Sequence, residues 1–263
     1  MEEIKPILSV KEIYCGYQNI EIIHGVSFDV FQNQKVCILG PNGCGKTTLL
    51  RAVTDMISFT GEVTACGLTI GKTPRIQVAK TISLMSQINS IYFPYSVYET
   101  VMMGRYSHKR GIFSSQNSED KKIVEESLKQ TGAWELKNRL ITELSGGQLQ
   151  RVMLARVLAQ SPNIILLDEP TNHLDLKYQI ELMEYLNEWV KKGTRCVVSV
   201  LHDINMALAF ADKILLMQEG KRVIYESVNE FPLYKLNEVY GMDIGNYMKT
   251  SLKRWNNLEN KME

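Results

Sequence analysis

The stretch "KVCILGPNGCGKTTLLRAV", residues 35–53, decides the fold. Its first five residues form a short apolar run of the kind that makes a strand buried on both faces. The run passes without a break into Gly40-Pro41-Asn42-Gly43-Cys44-Gly45-Lys46-Thr47, which fits G-x-x-x-x-G-K-[ST]. Residues 46–56 then read as a helix. Strand, glycine loop and helix in that order are the context a phosphate cradle requires. The glycines let backbone N–H groups converge on a β-phosphate, and the helix N-terminus favours the anion. Lys46 adds a point charge at the β/γ oxygens, and Thr47, followed by Thr48, supplies a hydroxyl able to ligate Mg²⁺.

Outward from this loop the chain alternates strand and helix signals. Strand-like segments ("ILSVKEIYC", "GVSFDVF") precede it, and "GEVTACG" follows. Ile164 to Leu167 is a continuous apolar run suited to a parallel sheet, and it ends in Asp168-Glu169. Ligands of open α/β sheets lie at the carboxyl ends of the strands. There Asp168 is expected to hold Mg²⁺ through water, and Glu169 to polarise an attacking water. Leu176, Ile180, Met183, Leu186 and Val190 lie at helical spacing before Gly193. "RCVVSVL" is a further buried strand, "DINMALAFAD" is helical, and "KILLMQEGKRVIYE" is a hairpin turning at Glu219-Gly220. The pattern predicts an α/β fold with a mostly parallel sheet.

One block departs from this alternation. From Tyr92 to Leu144 the periodicity is helical with no buried strand run, and "SEDKKIVEESLKQTG" has an acidic first turn and a stop at Gly132. A single domain over 1–263 is expected, with a core lobe from 1–88 and 150–230, a helical insert at 89–149 and a small C-terminal appendage at 231–263.

A second glycine-rich helix start, "TELSGGQLQRVMLAR" (Thr142–Arg156), has no nucleotide motif around it. Ser145 and Gln148 stand at capping-box spacing. Gly146 and Gly147 remove side chains from the positive end of the helix dipole, which favours an anion. One phosphate loop already surrounds its own triphosphate. This end is therefore expected to meet the γ-phosphate of a nucleotide held by a second copy of the chain, although a plain helix cap would show the same residues.

Composition narrows the classes. Of 263 residues, 44% are hydrophobic and 22% charged, which suits a globular domain with a substantial core. A net charge of +1 supplies no global field toward nucleic acid, so no nucleic-acid partner is expected. Five dispersed cysteines (Cys15, Cys37, Cys44, Cys66, Cys196) without C-x-x-C spacing suggest reduced thiols in a cytosol. "MEEIKPILSV" has no basic-then-apolar leader, and no apolar run approaches the ~20 residues needed to cross a bilayer. Any work at a membrane is expected to pass through a partner.

"LSGGQ" at Leu144–Gln148, placed between the phosphate loop and "ILLDEP", resembles the signature of ATP-binding-cassette (ABC) ATPases, a likeness spanning about residues 8–230. The resemblance implies a P-loop NTPase core of RecA type, an antiparallel β-subdomain and an inserted α-helical subdomain. It implies ATP and Mg²⁺ as ligands, with Tyr17 stacking on adenine and Gln87 touching the metal and linking the lobes. Asp175, in "NHLD", is implied to cross a dimer interface, and His202 to contact the γ-phosphate. Cys44 stands where the family has a small serine or alanine, and sensitivity to thiol modification is expected there.

The family's common task is to power a membrane transporter. "V-x-E-x-V-x-x-G-R-x-x-H", Val97 to His108, and "HDINMALAFADKILLM" are similar to ATPases of iron–siderophore, haem and cobalamin importers. The resemblance implies a peripheral subunit at the cytoplasmic face of the inner membrane. Its partners would be a second copy, a permease dimer and, indirectly, an extracytoplasmic substrate-binding protein. A zinc or manganese importer ATPase is the alternative, and a DNA-maintenance or translation ATPase the alternative from another class. The ~56-residue insert is too short for the first of these, and the second lacks its paired cassettes. A signalling subunit without turnover is disfavoured by Glu169.

Overall fold

A computed structural model describes residues 5–86, 93–108, 118–172 and 174–259, with side chains in the last helix as far as residue 253. Two sheets carry the fold. The first is antiparallel, in the order β2 (Ile20–Val30), β1 (Leu8–Tyr17), β4 (Phe59–Ala65), β5 (Leu68–Thr69). The second runs β10 (Lys221–Ser227), β9 (Lys213–Gln218), β3 (Lys35–Leu39), β8 (Cys196–Val200), β7 (Ile164–Asp168), β6 (Ile82–Met85). Its strands are parallel except at the β9–β10 hairpin. That hairpin turns at Glu219 (φ 46°) and Gly220 (φ 74°), the two left-handed positions of a type I′ turn.

The central strands are buried on both faces, and the period of two sorts their side chains into two cores. Val36, Ile38, Ile164, Leu166, Val198 and Val200 face the antiparallel sheet and helix α1 (Lys46–Val53). Cys37, Leu39, Ile165, Leu167 and Val197 face the opposite way. They meet the helices α5 (Gly146–Ala159), α6 (Leu176–Val190), α7 (Ile204–Phe210) and α8 (Tyr234–Tyr240). Continuous apolar runs in β3, β7 and β8 are thus the signature of a sheet covered twice.

After the short α2 (Arg75–Thr81), strand β6 fills the sheet edge; its four residues are too few to announce themselves by periodicity. The helical region contributes α3 (Val97–Met102) and α4 (Ser118–Gln130), which pack on α5 around a third apolar cluster holding Val97, Val101, Val124, Leu128, Val152 and Ala155. Ser96 caps α3 through a reciprocal box with Glu99, and Gly132 (φ 63°) follows the end of α4.

The C-terminal segment departs from the expected appendage. After α8 comes α9 (Ile244–Glu259), and Phe231, Leu236, Val239 and Ile244 are buried in the second core. This segment closes the far face of the sheet. In α6, Leu176 and Ile180 are exposed although they share the periodicity of buried Met183, Leu186 and Val190; only the C-terminal half of the apolar stripe is covered.

Candidate functional site

Three loops leave adjacent strands at one edge of the parallel sheet. Ile38, Val200 and Asp168 stand level across β3, β8 and β7. The glycine loop after β3, the segment after β8 and the turn after β7 therefore emerge side by side. Gly40 (φ 150°) starts the loop, where a Cβ would run into the Met217 carbonyl oxygen and lie 2.8 Å from Cys44 Sγ. Gly43 (φ 79°) and Gly45 (φ 100°) are left-handed, and Gly45 opens α1 with no side-chain cap. Lys46 is buried, and its Nζ donates to the carbonyls of Gly40 (2.7 Å) and Pro41 (2.9 Å). The ammonium is thus held against the loop's own backbone.

A cavity of about 340 Å³ opens here, lined by Ile22, Asn42, Gly43, Gly45 to Thr48, and Glu169. Cys44 does not line it. Its side chain is buried, and burial pushes the thiol above its ordinary range, with Lys46 acting in the opposite sense. A buried, protonated thiol is a poor nucleophile. Burial thus works against the thiol sensitivity expected at Cys44.

The carboxylates lie opposite the loop. Thr47 Oγ1 donates to Asp168 Oδ1 at 3.1 Å. Asp168 is buried, and burial raises its pKa; the Glu169 charge adds to the rise while the Thr47 hydrogen bond offsets part of it. Glu169 carries a positive φ of 56°, uncommon for a non-glycine residue and typical of strained functional positions. Both of its carboxylate oxygens are engaged: His202 Nε2 lies 2.6 Å from Oε1, and Asn172 Nδ2 donates to Oε2 at 2.6 Å. The glutamate is thus fixed between two strand ends and reaches the cavity wall.

The other predicted residues are more dispersed. Ser145 caps α5: Gln148 N donates to Ser145 Oγ (3.3 Å), and Ser145 N donates to Gln148 Oε1 (3.0 Å). Ser145 and Gly146 are exposed, Gly147 and Gln148 half-buried, and none of the four lines the cavity. One turn on, Gln150 Nε2 donates to the Pro170 carbonyl at 2.9 Å, tying this helix start to the turn after Glu169. Exposed Asp175 caps α6 by accepting from Tyr178 N (3.1 Å). Tyr17 stands at the end of β1, partly exposed, its hydroxyl accepting from Arg51 of α1 at 3.1 Å. Gln87 lies outside the described residues.

The Val97–His108 pattern has an internal explanation at most of its positions. Val97 and Val101 are core, and Glu99 completes the cap of α3. Gly104 admits no Cβ because the Arg156 carbonyl lies against it. Arg105, almost fully buried, pairs with Asp120 at 2.8 Å and donates to the Ala159 carbonyl (2.8 Å), and His108 Nε2 lies 2.9 Å from the Gln160 carbonyl. Gln160 in turn donates to the carbonyls of Ala79 and Ile82. The pattern latches the helical region to the end of α5 and, through Gln160, to β6.

Two contacts around the phosphate loop and Glu169 escape sequence reasoning. Asn172 has no signal beyond lying three residues after Glu169. Tyr240, two hundred residues from the loop, accepts a hydrogen bond from Gly40 N at 3.2 Å, a contact that only the tertiary fold creates.

Residues 23–172 match the family model described as ABC transporter. The iron(3+)-hydroxamate import ATP-binding protein FhuC of Bacillus subtilis (strain 168) is 35% identical over 81% of this chain and 79% of its own length. The ferric enterobactin transport ATP-binding protein FepC of Escherichia coli (strain K12) is 34% identical over 92% of this chain and 90% of its own. The high-affinity zinc uptake system ATP-binding protein ZnuC of B. subtilis is 36% identical over 82% and 93%. Against YvrA of B. subtilis, an ABC transporter ATP-binding protein without a described role, identity is 38% over 78% of this chain, which spans about half of that relative (47%). Among solved structures, the dimeric bacterial ABC transporter cassette MJ0796 superimposes with a TM-score of 0.74 at 29% identity, covering 85% of this chain and 100% of that one.

Proposed function

The chain belongs to the ABC transporter family, and on that premise we propose that it is the ATP-hydrolysing subunit of an importer for an iron(III) chelate. The observation that carries the catalytic reading is Glu169, held by His202 and Asn172 at the wall of the phosphate-loop cavity, beside the Thr47–Asp168 pair. The glycine loop and Lys46 bind the triphosphate, and Tyr17 stacks on the base. Glu169 accepts a proton from the water that attacks the γ-phosphorus as the bond to the β-phosphate oxygen breaks. His202 and Asn172 keep that carboxylate oriented, and His202 supports the γ-phosphate.

Thr47 and Asp168 form a hard-oxygen pair suited to Mg²⁺, with Gln87 completing the environment. Among the described residues no group of three or more His, Cys, Asp or Glu could hold a metal alone. Held by these residues, Mg²⁺ would supply positive charge to offset that of the triphosphate.

The site is completed by a second copy, whose Ser145–Gln148 tip closes over the γ-phosphate and whose Asp175 crosses the interface. The lobe at 89–149 docks on a permease dimer at the cytoplasmic face of the membrane, below an extracytoplasmic substrate-binding protein. No described helix is long and apolar enough to cross a membrane. The relatives named for ferric hydroxamate and ferric enterobactin import support the chelate reading.

Replacing Glu169 by Gln tests the catalytic core. Turnover of ATP by the full chain should fall by about 10²–10⁴-fold, the usual contribution of a general base, while ATP still binds. Equal rates would remove the assignment. For the cargo, the permease that co-purifies is reconstituted in vesicles; stimulation of ATPase activity by a ferric chelate supports the reading, and stimulation by zinc alone overturns it.

A further inference from the structure

The C-terminal helix pair reaches the phosphate loop. α8 presents Tyr240, whose hydroxyl accepts from the buried Gly40 N at 3.2 Å. Burial pushes the phenol above its ordinary range, so it stays neutral at working pH. The ring packs against the second core, to which Leu236 and Val239 of the same helix also belong. Gly241 (φ 67°) then ends α8 in the left-handed conformation, and the chain reverses into α9. Asn237 locks the reversal, its Oδ1 accepting from Ile244 N (2.9 Å) and its Nδ2 donating to Asp243 Oδ1 (3.2 Å). On the other side, Asn205 of α7, three residues after His202, donates to Met248 Sδ at 3.4 Å. The pair therefore touches the loop that holds phosphate and the helix that follows the histidine.

Gly40 is where β3 leaves the sheet. Leu39 is its last laddered residue, opposite Leu216, and Gly40 must adopt a φ of 150° with no room for a Cβ. A hydrogen bond at this amide pins the point from which all the following N–H groups are aimed. We propose that Tyr240 is a positioning residue for ATP: its hydroxyl fixes the start of the phosphate loop and thereby sharpens nucleotide affinity. This deepens the ATPase reading and rests on it.

The test is ATP affinity of the full chain, measured by calorimetry for the wild type, Tyr240→Phe, Met248→Ala and Lys46→Ala, with thermal midpoints for each. Tyr240→Phe keeps the ring and removes only the acceptor. Its Kd should weaken about 3–10-fold, the range for losing one neutral hydrogen bond. Met248→Ala loosens the same helix pair without touching Gly40, and its Kd should stay within twofold of wild type. A Tyr240→Phe Kd within twofold of wild type overturns the proposal, whatever the midpoint does. So does a Met248→Ala change as large as that of Tyr240→Phe, since packing alone would then account for both. Lys46→Ala reports on the underlying reading: if it binds ATP like the wild type, or the wild type binds none, the phosphate-loop assignment fails and this proposal with it.

Discussion

The molecule contains two glycine-rich helix starts, and they are built on opposite plans. The loop at Gly40–Thr47 is wrapped in structure: three glycines take positive φ, Lys46 is buried against two carbonyls, and Tyr240 arrives from the far end of the chain. The tip at Ser145–Gln148 is bare. Neither Gly146 nor Gly147 has a positive φ, Ser145 and Gly146 are exposed, and the cap is satisfied by the tip's own residues. In the first, glycine answers a demand of the backbone. In the second the backbone would accept any helix former, and what glycine provides is the absence of a side chain over an anion-favouring end. One is enclosed within the chain, and the other is the end we propose a second copy's nucleotide meets.

The strongest way to break this contrast is to separate the two halves. Ser145→Arg and Lys46→Ala should each reduce ATP turnover by more than about 10²-fold, in keeping with losing a preorganised phosphate contact. Mixed, they should recover activity. In a symmetric dimer with random pairing, equal amounts give half mixed dimers with one intact site each, or about a quarter of wild-type turnover. Phosphate release measured across mixing ratios checks this, and no recovery at any ratio would mean that the two starts do not share a nucleotide.

A smaller effect concerns stability and should differ in sign between the starts. Gly40→Ala must move the Met217 carbonyl or Cys44 and hold alanine at an unfavourable φ; it should destabilise the chain by about 3 kcal/mol. Gly146→Ala fills a helical position and should stabilise by up to about 1 kcal/mol. ATP turnover should nevertheless fall in both. Urea midpoints and phosphate release on the same samples decide it. Two destabilised variants would show that the tip glycines, too, serve the backbone.

The same contrast explains what could be read beforehand. The phosphate loop, the buried strands and the capping box are local: periodicity, glycine spacing and a three-residue interval contain them, and the α/β fold follows from their order. The residues that hold the site are not local. Asn172 is an ordinary turn residue until β7 and β8 bring Glu169 and His202 together, and Tyr240 is one aromatic among twelve tyrosines until α8 docks under the sheet. The tail's burial escaped for a related reason. Its apolar residues are sparse and interleaved with Asn, Lys and Glu, and they count as core only because the far face of the sheet needs covering. The Val97–His108 pattern teaches caution of another kind. Arg105, His108 and Gly104 are occupied within the fold, so their presence speaks for how the lobe is latched and leaves the cargo to other observations.

The subtlest expectation concerns the cradle's own internal conflict. Asp168 is a buried carboxylate beside Glu169, and folding raises its pKa. The folded chain therefore holds that proton more tightly than the unfolded chain does. The contribution of Asp168 to stability falls as pH rises from the ordinary carboxylate value of about 3.9 through the raised one. Asp168→Asn removes the charge and keeps an oxygen to accept from Thr47. At pH 7.5 it should be more stable than wild type by about 1 kcal/mol, as expected when an uncompensated buried charge is relieved. That advantage should shrink on acidification toward pH 4.5, while Mg²⁺-dependent ATP binding is weakened throughout. Urea midpoints at the two pH values check it. An advantage equal at both, or a variant less stable at pH 7.5, would show that Asp168 is held for its structural contacts; the predicted pattern would show a cradle that keeps a costly charge because the metal needs it.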